Sequence, residues 1–193
     1  LPTLSLLMAP SNWIWLIVAM ALLKVLHELG HALAAKHFGA EVPEMGLLLL
    51  VFIPCLYCDV SDIWRLKAKW QRVVVSAAGM GVELVVASIA TLVWWTTEPG
   101  LANLVALNVM LIATVGTLLI NANPLLRYDG YYILSDLSET PNLWQRSRSA
   151  VHRLWGTWFS PPSRSVRELA PPPEPTWILV YGIASSLYLL IVL

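Results

Sequence analysis

The residues of this sequence that could do chemistry together lie in the pentapeptide HELGH, residues 27–31, inside a long apolar segment. On an α-helix, His27 and His31 share one face, and Glu28 lies about 60° around the helix from His31. Two imidazoles can then bind one metal ion while the carboxylate stands beside its water, which makes the pattern typical of zinc peptidases. The pattern predicts a zinc site with Glu28 as the base. The alternative is a hydrogen-bonded polar cluster between helices.

A zinc site of this kind needs a third protein ligand, and the sequence offers two candidate carboxylates. Glu83 lies in the middle of the second apolar segment, and Asp129 follows the third. Depth in the membrane does not separate them, but Pro124 and Gly130 break the helix around Asp129 and free the chain to fold back. We therefore expect Asp129 to complete the site, with Glu83 or a residue of the first loop as the alternatives.

The composition is that of a protein in a lipid bilayer. Of its 193 residues, 58% are hydrophobic and only 12% are charged, and the mean hydropathy is +0.67. Twelve lysines and arginines balance twelve aspartates and glutamates, and no basic run interleaved with aromatic residues suggests a nucleic-acid partner. Because the chain begins without methionine and stops inside an apolar run, we expect it to be a piece of a longer protein.

Four apolar segments are long enough to cross the hydrocarbon core as helices, which takes about 20 residues. They cover residues 13–35, 73–95, 101–120 and 176–193. The sequence therefore predicts an all-α polytopic membrane protein with about four transmembrane helices in this piece. At 1.5 Å per residue, His27 lies roughly 12 Å from the end of the first segment, so the zinc site is expected inside the membrane.

Basic residues are unevenly distributed between the predicted loops. Lysines and arginines occur in residues 36–72 and again in residues 127–167, whereas the short loop between the second and third segments carries only Glu98. The positive-inside bias puts both basic regions in the cytoplasm. The first and third segments then run inwards and end on the same face, so the zinc site is expected towards the cytoplasmic side.

Two further segments have patterns of their own. Residues 40–62 contain an apolar run of about ten residues, too short to span, which predicts a re-entrant or hairpin-like loop after the first helix. Asp59 and Asp62 are expected to cap its turn.

Apolar residues at helical spacing opposite arginines predict an interfacial helix over 143–159, which is expected to contact lipid headgroups or, as the alternative, a partner. A stiff Pro-rich linker follows over 161–175.

Other polar and small residues have simpler interpretations. Lys24 lies within one turn of the HELGH motif, where it either tunes Glu28 or, as we favour, forms an ion pair or reaches polar cavity groups. Cys55 and Cys58 form a single CxxC pair, which favours small buried thiols over a metal or redox site. The small residues within 76–83 are expected to permit close helix packing rather than to bind a ligand.

These motifs together resemble the site-2 protease family of intramembrane zinc metalloproteases. In that family, HExxH in a first span is followed by an asparagine eight residues, and a proline five residues, before an Asp-Gly pair. Asn121, Pro124, Asp129 and Gly130 match these four positions. The stretches NPLLRYDGYYILSD, PCLYCDVSDIWRLKAKWQR and PNLWQRSRS are similar to a bacterial subgroup known as peptide zinc metalloproteases. Tyr128 departs from the family's commoner LDG triplet.

The resemblance, which covers most of the chain, implies a role for each matched residue. It puts the metal ligands on His27, His31 and Asp129, the catalytic glutamate on Glu28, and a substrate-contacting asparagine on Asn121. It also implies Zn²⁺ as cofactor, a membrane-embedded protein or peptide as substrate, a bacterial cytoplasmic membrane as location, and export or membrane-fusion components as partners. Residues 41–58 are expected to accept an unwound substrate as an added strand.

The sequence thus predicts a zinc-dependent intramembrane endopeptidase that cleaves peptide bonds within or next to the membrane. The rivals are a non-proteolytic, zinc-stabilised membrane subunit of an exporter and a transporter with a metal site between helices. Glu28 favours the enzyme, because a structural zinc site needs no base beside it. The predicted organisation is an intramembrane metalloprotease core over 1–136, a cytoplasmic interfacial helix and linker over 137–175, and a further, truncated transmembrane helix over 176–193.

The charge asymmetry predicts the topology of the chain. Reporter fusions at residues 65 and 146 should report a cytoplasmic location and a fusion at residue 98 an external one, because lysines and arginines beside spans are retained inside. Paired fusions to alkaline phosphatase and green fluorescent protein measure both outcomes. A fusion at residue 65 that reports an external location would reverse the orientation and move the zinc site to the other side of the membrane.

Overall fold

The computed structural model describes residue 7 and residues 9–50, 53–159 and 174–192. Within these ranges the chain forms mainly α-helices, as predicted, with one pair of short strands. In chain order the elements are α1 (Asn12–His37), β1 (Met45–Leu50), β2 (Ile53–Cys58), a 3₁₀ helix (Ser61–Arg65), α2 (Lys69–Thr96), α3 (Leu101–Val115), a π-helical segment (Gly116–Asn121), α4 (Asp129–Leu137), α5 (Leu143–Phe159) and α6 (Thr176–Val192).

Three helical stretches are long and apolar enough to cross a membrane. They are α1, α2 and the continuous stretch Leu101–Asn121, which joins α3 to the π-helical segment. Their bounds extend the predicted spans by a few residues at most, because the apolar runs continue into the flanking tryptophans and lysines. The fourth segment, α6, is an apolar helix of 17 residues. The total of four transmembrane helices stays a prediction.

The loop after α1 contains an antiparallel hairpin, so the expectation of an all-α chain is wrong at this point. Strands β1 and β2 pair from Met45 with Cys58 to Leu50 with Ile53. The apolar run is too short to span as a helix, and pairing two extended halves satisfies backbone groups that apolar surroundings would leave without partners. A hairpin-like loop was predicted here, and its entry into the bilayer stays a prediction.

Helices α1 and α2 pack closely because each helix has a glycine that faces the other helix. A Cβ at Gly30 of α1 would lie 3.0 Å from the Ala78 carbonyl oxygen of α2. A Cβ at Gly79 of α2 would lie 2.5 Å from Nε2 of His31 and 2.7 Å from Nε2 of His27. The small residues of α2 therefore permit close packing, as expected, and Gly79 also makes room for both imidazole rings.

The chain turns back towards α1 after the π-helical segment. This turn requires glycine at position 130, because a Cβ there would come within 2.4 Å of the Ala122 carbonyl oxygen. Asp129 begins α4, which packs along α2. Nε of Arg72 in α2 donates to Oδ1 of Asp136 in α4 at 2.6 Å, and both side chains are largely buried. Asp136 lies in the last turn of α4, so this ion pair holds the C-terminal end of α4 against the start of α2, the end that the sequence predicts to be cytoplasmic.

Helix α5 has the bounds that were predicted for the interfacial helix, and it packs against α6. Leu143 of α5 joins Tyr131, Ile178 and Tyr181 in one buried cluster. The Tyr181 hydroxyl donates to the carbonyl oxygen of Pro124 at 2.9 Å, which ties α6 to the turn before α4. Residues 161–173 of the predicted linker lie outside the described residues. The interfacial location of α5 stays a prediction.

The contact between α2 and the two histidines generates a prediction about Gly79. Replacing Gly79 with alanine should weaken zinc binding at least about tenfold, the scale on which misoriented ligands lose metal, because the new methyl group displaces the imidazoles. Gly81→Ala is the matched control, since a Cβ there meets nothing within 4 Å. Zinc affinity is measured by chelator competition on purified protein. Equal affinities in the two variants would contradict the contact.

Candidate metal centre

Three side chains from two helices converge on one point. His27 and His31 project from α1, and Asp129 comes from the first position of α4. Nε2 of His27 lies 3.1 Å from Nε2 of His31 and 3.1 Å from Oδ2 of Asp129. Nε2 of His31 lies 3.5 Å from Oδ1 of Asp129. The three residues that the resemblance singled out as ligands are therefore brought together, although Asp129 is about 100 residues from the two histidines in sequence.

The spacing of these atoms fits zinc. Ligand atoms about 2.0–2.1 Å from a tetrahedral zinc ion are roughly 3.3–3.4 Å from one another, and the distances here are 3.1, 3.1 and 3.5 Å. Oδ2 of Asp129 is also buried without a hydrogen-bond partner in the described part of the chain. Two imidazoles and one carboxylate form a three-ligand set that leaves a fourth position for water, as catalytic zinc sites do.

Contacts at the far side of each ring show which nitrogen faces the cluster. Nδ1 of His31 is 2.8 Å from the carbonyl oxygen of Val75 on α2, so this nitrogen carries the proton and Nε2 presents its lone pair. Nδ1 of His27 faces α2 as well, 3.1 Å from Oε1 of Glu83. Both rings therefore have their second nitrogen turned towards α2 and their Nε2 atom towards Asp129.

Glu83, the rival of Asp129 in the sequence, lies on the other side of His27. Its side chain is buried and accepts hydrogen bonds from Thr117 at 2.5 Å and from Asn121 at 3.3 Å, both through Oε2. Nζ of Lys24 lies 3.7 Å from Oε1, which is the ion pair that we favoured for this lysine. Asp129 thus faces Nε2 of His27 while Glu83 faces Nδ1. The substrate contact expected of Asn121 stays a prediction.

A cavity of about 330 Å³ opens beside the cluster. Glu28 lines it together with His31 and Asp129, so its carboxylate borders the space in which a substrate and water could meet. The remaining wall comes mainly from the end of β2, the 3₁₀ helix and α4: Cys58, Asp59, Val60, Ser61, Ile63, Trp64, Ser76, Tyr132 and Asp136. The cavity therefore connects the hairpin to the candidate metal centre.

The two cysteines and the two aspartates of the first loop lie outside the cluster of candidate metal ligands in the described residues. Cys55 and Cys58 are free, half-buried thiols, and neither belongs to the cluster of candidate metal ligands in the described residues. Burial raises the pKa of Cys58 to about 11, so this thiol stays protonated at neutral pH.

Asp59 accepts hydrogen bonds from the backbone and hydroxyl of Ser61, and Asp62 accepts one from the backbone of Glu41. Asp59 thus caps a turn, as expected, whereas Asp62 joins the 3₁₀ helix to the segment before β1 and also pairs with Arg65.

Gly79 and Thr117 take part in the site, although neither was predicted to do so. A signal for Gly79 exists, because it precedes Glu83 by four residues and so shares its helix face. A helix face that carries a glycine and a buried acid suggests a site rather than packing alone. Thr117 gives no such signal, since it turns towards Glu83 within a π-helical segment that the sequence pattern did not predict.

Comparison with known proteins relates the chain to one family of peptidases. The sequence profile of "Peptidase family M50" matches residues 15–190. A Bacillus subtilis (strain 168) protein named "Putative peptide zinc metalloprotease protein YydH" is 28% identical over 123 residues, which are 63% of this chain and 47% of that protein. "Uncharacterized protein MJ0971" of Methanocaldococcus jannaschii is 32% identical over 75 residues, 38% of this chain and 20% of that protein.

The aligned regions span about half of the Bacillus protein and a fifth of the archaeal one. No solved structure matches the chain at comparable significance. The profile match covers nearly the whole sequence, includes the HELGH motif and Asp129, and ends within α6. This chain belongs to Peptidase family M50, the site-2 protease family of metallopeptidases.

Proposed function

We propose that this chain is the catalytic core of a zinc-dependent endopeptidase that cleaves peptide bonds within or next to the membrane. One observation carries the proposal: His27, His31 and Asp129 converge at zinc-ligand spacing beside a cavity that Glu28 also lines. Membership of a metallopeptidase family and the three long apolar helices support it. His27 and His31 are only 3% and 6% exposed, which suits a site that is shielded from bulk water.

His27, His31 and Asp129 would hold the zinc ion. When bound there, zinc supplies a Lewis acid that polarises a peptide carbonyl and lowers the pKa of a water molecule to near neutrality. The protein contributes the fixed positions of the three ligands. His31 is held by the Val75 carbonyl oxygen, and Gly79 leaves space for both rings.

Glu28 is the proposed general base. Its carboxylate lines the cavity and lies one residue from the first ligand on the same helix. It takes a proton from the attacking water and later gives that proton to the departing amide nitrogen, so that one peptide bond and one water molecule yield a carboxylate and an amine. The carboxylate is ionised again when it has handed on the proton, and the next cycle can begin.

The proposed substrate is a membrane-embedded protein or peptide in an extended conformation. A transmembrane helix keeps its carbonyl groups in internal hydrogen bonds, so a segment to be cut must first unwind. The hairpin offers strand edges to such a segment, and β2 leads directly into Cys58 and Asp59 at the cavity wall. This supports strand addition to residues 41–58 as the way in which the substrate is positioned.

We also propose a bacterial cytoplasmic membrane as the location, with the site towards the cytoplasm and export or membrane-fusion components as partners. The basic residues of the 3₁₀ helix, the start of α2 and α5 support the orientation. The partners rest on the resemblance to peptide zinc metalloproteases alone.

The assignment of the base generates the next prediction. Glu28→Gln should lower cleavage of a membrane substrate by at least about 10²-fold, the smaller end of the range for general base catalysis, while zinc stays bound. The glutamine keeps the shape of the side chain but cannot accept the proton. Products are compared by mass spectrometry and zinc is measured by elemental analysis on the full-length protein. Equal product from both proteins would favour the non-proteolytic zinc-stabilised subunit instead.

The assignment of the third ligand generates another prediction. Asp129→Ala should weaken zinc binding by more than the roughly 10–100-fold that loss of an outer partner causes, and should abolish cleavage. Asp59→Ala is the matched control, because Asp59 lines the same cavity but caps a turn outside the cluster. Zinc content after dialysis against a chelator measures the difference. If Asp129→Ala retains its zinc, the ligand assignment is wrong, although the HELGH assignment would stand.

A further inference from the structure

We propose that Glu83 is a positioning residue that holds His27 in the orientation and tautomer needed to bind the metal through Nε2. The inference rests on the proposed function, since it concerns the same site. It assigns a function to a buried acid that the proposed reaction does not otherwise use. Glu83 is only 2% exposed and does not line the cavity beside Glu28, so its role must be exerted through its neighbours.

The two nitrogens of His27 have different partners. Nε2 faces His31 and Asp129, each at 3.1 Å, whereas Nδ1 faces Oε1 of Glu83 at 3.1 Å. An imidazole that binds a metal through Nε2 keeps its proton on Nδ1, and a carboxylate at that proton fixes the tautomer and makes the ring a better ligand. The Nδ1 contact is close but not aligned as a hydrogen bond.

Glu83 is itself held from a third helix. The Thr117 hydroxyl donates to Oε2 at 2.5 Å, and the Asn121 amide donates to the same oxygen at 3.3 Å. Both donors lie in the π-helical segment Gly116–Asn121, and short π-helical turns often occur at functional sites. Oε2 is therefore bound by the π-helical segment, and Oε1 is left to His27 and Lys24 of α1. This division fixes the carboxylate in position against the ring.

Charge explains why an acid can occupy this place. A buried carboxylate without a counter-charge is costly inside a membrane, and Lys24 supplies the counter-charge from 3.7 Å. The lysine side chain is 44% exposed, so its stem reaches in from the surface of α1 while Glu83 remains enclosed. The Lys24–Glu83 pair therefore carries no net charge, and the carboxylate oxygen Oε1 of Glu83 still lies next to Nδ1 of His27.

Two other roles for Glu83 fit the contacts less well. A metal ligand would present an oxygen on the Nε2 side of His27, where Asp129 lies instead. A polar contact that merely joins helices would be satisfied by Thr117, Asn121 and Lys24, and would not need an oxygen 3.1 Å from the ring. The contact with Nδ1 is the feature that only the positioning role explains.

The test measures metal binding rather than cleavage. Full-length protein is purified as wild type, Glu83→Gln, Thr117→Val and Thr91→Val, and zinc affinity is determined by chelator competition. Glu83→Gln keeps the size of the side chain but removes the charge, and Thr117→Val removes one donor to Oε2. Thr91→Val is the matched control, because the Thr91 hydroxyl bonds the Ala87 carbonyl oxygen of its own helix. The absorption spectrum of the Co²⁺-substituted protein reports the ligand geometry.

We expect zinc affinity to fall about 10–100-fold in Glu83→Gln, the range known for loss of an outer carboxylate, with an altered Co²⁺ spectrum. Thr117→Val should shift both measurements in the same direction but less, and Thr91→Val should match wild type. Wild-type affinity and spectrum in Glu83→Gln would overturn the positioning role. If Glu83→Gln does not fold, Thr117→Val decides, and an unchanged affinity there overturns the proposal equally.

The outcome is separable from that of the proposed function. Wild-type protein that binds zinc and cleaves only with Glu28 intact, together with unchanged zinc binding in Glu83→Gln, would overturn this inference alone. Wild-type protein that binds no zinc would overturn both. Loss of all zinc in Glu83→Gln combined with its retention in Asp129→Ala would also overturn the positioning role, because Glu83 would then be a ligand.

Discussion

The structure depends on one constraint. Three atoms that carry lone pairs, one each from His27, His31 and Asp129, must be held about 3 Å apart in a place with little water. Two imidazole nitrogens and a carboxylate oxygen repel one another at such distances unless a cation or proton lies between them, and apolar surroundings strengthen that repulsion. The elements around them are arranged to keep them there. Gly79 allows α2 to touch the rings, and Gly130 allows the chain to fold back so that Asp129 can reach them.

Each candidate ligand is held from a different direction. The backbone of α2 fixes His31, the Glu83 carboxylate contacts His27, and the ion pair between Arg72 and Asp136 fixes the helix that begins with Asp129. Ligands held in this way lose little conformational entropy when a metal binds, which favours both affinity and a defined geometry. The ligands and the groups that hold them lie on α1, α2 and α4, whereas the hairpin contributes the end of β2 to the cavity wall.

Features with a local period could be predicted from the sequence. The helical face of HELGH, the bounds of α5 and the approximate ends of three spans follow from spacing and hydropathy, and the structure has them. What could not be predicted depends on how helices face one another. Glu83 and Asp129 are both carboxylates within reach of the motif, and only the packing of α1, α2 and α4 shows that they lie on opposite sides of the His27 ring. A hairpin-like loop was predicted, but its two strands were not. A run of ten apolar residues has no periodicity that distinguishes a strand from a turn of buried helix.

The two glutamates near the cluster differ because of what surrounds them. Glu83 has both oxygens occupied, by Thr117 and Asn121 on one and by Lys24 and His27 on the other, and it does not border the cavity. Such a carboxylate cannot approach a water molecule without breaking these contacts, so it suits a fixed supporting role. Glu28 borders the cavity, and no hydrogen bond to another described side chain holds its oxygens in place. A base must accept a proton and release it in each cycle, and that requires the accessible carboxylate rather than the enclosed one.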